Sequence, residues 1–83
     1  MKREKLLRKI LANTENVRFG DFVTLVEAFG LRLARVTSSH HIYKHLEKGW
    51  LLNIQNYKGK ANSYQIRQFL SLIGESFGQE DPE

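Results

Sequence analysis

Three histidines fall within six positions, His40, His41 and His45, with Lys44 among them. Histidine titrates near neutral pH, so it can both accept and donate a proton there. A nearby lysine or arginine can stabilise negative charge developing on phosphorus. Together these residues make a minimal set for cleaving a phosphodiester. One group takes the proton of the attacking hydroxyl, one supplies the leaving oxygen, and a cation holds the charge between them. The competing chemistry for three histidines is a metal site. They do not all share one strand face, and the only acid close by in sequence is Glu47. No metal and no other cofactor is therefore expected. With no cysteine there is neither a thiolate ligand nor a disulfide framework.

Charge narrows the substrate class. The formal net charge is +4, unevenly spread. Residues 30–73 carry seven basic residues, Arg32, Arg35, Lys44, Lys48, Lys58, Lys60 and Arg67, against the single acid Glu47. The last ten residues carry four acids and no base. A basic middle holding most of the aromatics and every histidine predicts a polyanionic partner, nucleic acid first. Lys58-Gly59-Lys60 stands just before a helix, and Arg67 lies one turn into it. Lys44, Lys58, Lys60 and Arg67 are the candidate phosphate contacts. Trp50 and Tyr57 could stack on bases, but beside a hairpin turn packing is the expected role.

These side chains need elements to position them. Eighty-three residues suffice for one domain, and 41% apolar with 27% charged residues is a globular balance. No apolar run approaches the roughly 20 residues of a membrane span, and no apolar stretch follows the basic N-terminus as in a secretory signal. A cytoplasmic protein with no membrane partner is expected. Residues 2–12 place Leu6, Leu7, Ile10 and Leu11 on one helical face. A second helix is predicted from Phe19 to Phe29, with Gly30 as its stop. From Leu31 the period shortens to two. Strands are predicted at Leu31 to Val36, His40 to Leu46 and Trp50 to Asn56. Asn62 can cap a last helix from Ser63 to about Phe77, whose Ile66, Phe69, Leu70 and Ile73 repeat at helical spacing. Residues 1–78 form the domain; 79–83 are expected to be a disordered acidic tail.

The order α-α-β-β-β-α predicts an α+β two-layer sandwich. Its antiparallel meander is covered on one face by helices and open on the other. If Lys48-Gly49 is a two-residue turn, Glu47 opposes Trp50, Tyr43 opposes Ile54 and Lys44 opposes Asn53. The apolar set then faces the helices. His40, Lys44, Asn53 and Gln55 share the open face, with His40 beside Lys44.

The segment Thr37-Ser38-Ser39-His40-His41-Ile42-Tyr43-Lys44-His45 resembles the Gly-Ser-His-His-x-aromatic-x-His signature of the HicA toxins. These are small ribosome-independent ribonucleases of toxin–antitoxin pairs. Phe29-Gly30, Leu52-Asn53-Ile54-Gln55, Lys58-Gly59-Lys60-Ala61 and Tyr64-Gln65-Ile66-Arg67-Gln68 are similar to the family's flanking elements, so the likeness spans about residues 17–74. Ser38 stands where the family usually has glycine, and Leu46 where proline commonly follows the last histidine.

The resemblance implies a double-stranded-RNA-binding-domain-like α-β-β-β-α fold with an extra N-terminal helix. It maps the catalytic histidine onto His40, and implies metal-independent cleavage of mRNA and a HicB-like antitoxin as protein partner. The alternative is a non-catalytic RNA-binding module of the same fold. His41 and His45 are expected to have structural roles, such as a bond to a backbone carbonyl.

Overall fold

The computed structural model describes residues 3–80, and their side chains through residue 74. Two helices come first, α1 (Arg3–Ala12) and α2 (Phe19–Ala28). The strands β1 (Arg32–Thr37), β2 (His40–His45), β3 (Trp50–Tyr57) and β4 (Lys60–Ala61) follow, then α3 (Ser63–Glu80). The class is α+β, with three helices and an antiparallel sheet of order β1-β2-β3-β4. The fourth strand is an addition to the expected meander. Lys58-Gly59, expected as part of an open loop, is a tight turn with φ of 52° and 84°, and it returns the chain onto β3. Asn56 Oδ1 accepts from Gly59 N–H at 2.8 Å and fixes that turn. Helix α3 runs three residues past Phe77 and takes in Gln79 and Glu80 of the expected tail. Residues 81–83 lie outside the described residues.

Each helix buries the stripe its periodicity marks. Leu6 and Ile10 of α1, Phe22, Leu25 and Val26 of α2, and Ile66, Phe69 and Ile73 of α3 meet Tyr43, Leu52 and Ile54 of the sheet. Phe69 is the centre of this layer, edge-on to Phe22 and Phe29 with centroids 5.8 and 5.5 Å away. Leu11 is the exception to the α1 stripe, half exposed. Asn62 caps α3 as its sequence predicts, its Oδ1 accepting from Tyr64 N–H at 2.8 Å. Gly30 ends α2 with φ of 95°, the left-handed value that glycine adopts without steric cost.

The β2–β3 register differs from expectation by two residues. His45, not Glu47, opposes Trp50; Tyr43 opposes Leu52, Ile42 opposes Asn53, and Lys44 opposes Leu51. The connection is a four-residue loop, 46–49, rather than a two-residue turn. Two bonds to His45 hold it. Gly49 N–H donates to its carbonyl at 2.8 Å, and Lys48 N–H donates to its Nδ1 at 3.1 Å. A side chain thus replaces the backbone pairing that a two-residue turn would need. A shift of two preserves the faces, because side chains alternate with period two. Tyr43, Leu52 and Ile54 are buried under the helices, whereas Lys44, Leu51 and Asn53 are exposed on the other side.

Candidate functional site

His40 stands at one end of the open face, at the start of β2. The two-residue turn Ser38-Ser39 joins it to β1, and Thr37 is its partner on that side. Ser38 takes φ of 56°, so the position where the HicA signature carries glycine has a glycine-like backbone. The turn is anchored to β3, since Asn56 N–H donates to Ser39 O at 3.2 Å. Across the sheet His40 opposes Gln55. Its Nδ1 lies 3.2 Å from Asn53 Oδ1, the next open-face residue along β3. An amide oxygen can only accept, so Nδ1 carries the proton. The lone pair of the neutral ring is then on Nε2, which is left to act as a base.

The other two histidines lie on the helix-covered face and are occupied. His41 Nδ1 donates to Ser39 O at 3.3 Å, and its ring stands 4.9 Å from that of Phe19. His45 accepts from Lys48 N–H on Nδ1, so its proton is on Nε2, the opposite tautomer to His40. It lies edge-on to half-buried Trp50 at 5.3 Å. Among the described residues no three His, Cys, Asp or Glu side chains gather where one ion could reach them.

The candidate cations do not form one cluster. Lys44 shares the face with His40 but is four residues along the same strand, about 13 Å at the strand rise, with Ile42 between them. The expectation of Lys44 beside His40 is corrected on that ground. Lys44 instead borders a depression of about 370 Å³ with Ala34, Arg35, Ile42 and Leu51. Arg67 donates to Glu15 Oε2 at 3.2 Å, so its charge is partly answered within the chain. Lys60 Nζ donates to Asn16 Oδ1 at 2.6 Å.

Lys58 and Lys60 do lie at the His40 end, where β3 leaves the sheet. Lys58 Nζ sits 5.5 Å from the Tyr57 ring centroid. Tyr57 is 64% exposed, contrary to the packing role expected for it. It extends the open-face row of Asn53 and Gln55, on the side of the sheet away from buried Leu52 and Ile54.

One contributor, Arg18, and one contact, that of Asn53 with His40, escape sequence reading. Arg18 forms a bridge opposite Lys60, so its side chain leaves the sheet on the same side and adds a cation to this end. No local pattern links it to Lys60. Asn53 was legible as an open-face residue, but its bond to His40 depends on a register that strand periodicity leaves undetermined by two. The Tyr43 hydroxyl is held above its ordinary value of 10.0 by burial first and then by the negative charge of Glu27. In comparisons with protein-family models, curated proteins and solved structures, no match to this chain is found.

Proposed function

We propose that the chain is a metal-independent endoribonuclease of the HicA type, the toxin of a toxin–antitoxin pair, with His40 as its proton-transfer residue. One observation carries the reading. His40 stands on the open face with Nδ1 engaged by Asn53 at 3.2 Å, which leaves Nε2 as a base. The likeness of Ser39-His40-His41-x-Tyr43 to the HicA signature supports it. So does a helix-covered sheet of the kind a double-stranded-RNA-binding-domain-like fold would supply.

In this mechanism Nε2 takes the 2′-hydroxyl proton of an mRNA, and the 2′-oxygen forms a bond to phosphorus. The bond to the 5′-oxygen breaks, and that oxygen is protonated by the imidazolium or by water. The products are a 2′,3′-cyclic phosphate and a 5′-hydroxyl. Lys58, Lys60 and Arg18 gather at this end to hold the phosphate chain, and the exposed Tyr57 ring offers a base a stacking surface. A HicB-like antitoxin would act by covering this face.

The second reading, a non-catalytic RNA-binding module, is favoured by the placement of Lys44 and Arg35 away from His40, which leaves the imidazole without a cation beside it on its own strand.

Replacing His40 separates the two. Loss of a general base costs about 10²–10⁴ in rate. His40→Ala should lower RNA cleavage by that factor and leave RNA affinity and melting temperature nearly unchanged. Cleavage at the wild-type rate would remove His40 from the mechanism, and cleavage abolished by EDTA would require a metal. Asn53→Ala should slow cleavage up to about tenfold, the value of one hydrogen bond.

A further inference from the structure

The edge strand β1 differs from every other part of the sheet. All six of its residues are exposed. The helices pack on β3 and β4, while among the described residues β1 has β2 as its only strand neighbour. Its outer row of backbone N–H and C=O groups is therefore open to another strand. A bulge between Leu33 and Arg35 changes the alternation. Arg35 opposes Ile42 and so stands on the open face beside the row of Lys44, whereas Arg32, opposite Lys44, turns its guanidinium back to the end of α2 and donates to Glu27 O at 3.0 Å and Leu31 O at 2.9 Å. Leu33 opposes Tyr43 and Val36 opposes His41, which puts both apolar side chains on the helix side, 48% and 49% exposed. The edge thus presents two chemistries, cationic on one face and apolar on the other.

We infer that β1 is a docking edge for an extended protein segment that alternates acidic and apolar residues and adds a fifth strand to the sheet. Main-chain bonds would supply affinity, and alternate side chains would supply selectivity. Acidic residues of the incoming strand would lie beside Arg35, close to Lys44. Its apolar residues would complete the helix-side layer over Leu33 and Val36.

A second copy of this chain fits poorly. Antiparallel pairing of β1 with itself brings two copies of Arg35, each with its own Lys44 nearby, onto one strip of one face, and like charges directly opposed across a strand pair are unfavourable. The bulge and Arg35, which protect the edge from self-association, select an acidic strand instead. The inference is independent of what His40 does, because β1's outer edge lies on the far side of β2 from Asn53 and the Lys58 turn.

The test uses the full chain, labelled with ¹⁵N, and two capped nine-residue probe peptides. One alternates valine with glutamate, the other valine with lysine. The acidic peptide should saturably slow amide exchange in β1 by tenfold or more, and the basic peptide should leave it unchanged. Arg35→Glu, at an exposed position, should reverse that preference. Val36→Glu should weaken the acidic peptide at least tenfold. Equal protection by both peptides, absence of protection in β1, or protection that rises with protein concentration without peptide would overturn the inference.

Discussion

Each end of β2 sets a histidine beside a residue of positive φ, and the two ends are used in opposite ways. At one end Ser38, with φ of 56°, turns the chain into His40, whose Nδ1 is engaged and whose Nε2 is left as a base on the open face. At the other end Gly30, with φ of 95°, closes on His45, whose Nδ1 caps the 46–49 loop. A side chain at Gly30 would put its Cβ 2.8 Å from His45 Nε2, so this ring has backbone against both nitrogens. Two histidines five residues apart, on opposite faces of one strand, therefore hold opposite tautomers. Their surroundings decide which one is available for chemistry.

The largest expected effect lies between the ends. Phe69 is fully buried beneath the covered face, and Phe69→Ala should cost about 3–5 kcal/mol of unfolding free energy, enough to threaten a domain of this size. Denaturant titration measures it, and a loss below about 1 kcal/mol would break the packing described.

Gly30→Ala acts at the His45 end alone. It combines a left-handed backbone with a contact closer than real Cβ atoms make, so about 1–3 kcal/mol should be lost. In a His45→Ala background the contact is gone, and the cost should shrink to about 1 kcal/mol of backbone strain. An unchanged cost would show that the ring does not press on Gly30.

Ser38→Gly acts at the His40 end with the opposite sign. Removing Cβ where φ is 56° relieves left-handed strain, offset by the greater freedom of glycine in the unfolded chain. A net gain of up to about 0.5 kcal/mol is expected by the same measurement. A loss would mean that the serine side chain contributes to the turn.

The smallest effect is a pH dependence from Tyr43, midway along the strand. Its pKa is raised in the folded state by burial and by Glu27, so above about pH 10 the unfolded chain gives up a proton that the folded chain keeps. Its contribution is fully present below pH 10 and is lost as pH rises through the folded value. Tyr43→Phe should flatten the decline of stability above pH 10, and an identical decline in both proteins would reassign it.

Local pattern carried much of this fold. The stripes of α1, α2 and α3, the Asn62 cap, the Gly30 stop and the alternation that separates His40 from His41 depend only on neighbours in the chain. A side chain's face follows from strand period, and that is why His40, Asn53 and Gln55 could be placed on one surface before any coordinates. The pairing of β2 with β3 was not fixed this way, because every even shift keeps the same faces. It took the bonds of His45 to the 46–49 loop to select one. That selection put Lys44 opposite Leu51 and let Asn53 reach His40.

The bulge in β1, the Arg18–Lys60 bridge and the Arg67–Glu15 pair likewise join residues that no local period relates. Sequence by itself therefore determined the elements and their faces, which arise from backbone geometry over a few residues. The tertiary structure decided which side chains meet, because a contact between distant segments depends on how the whole chain packs.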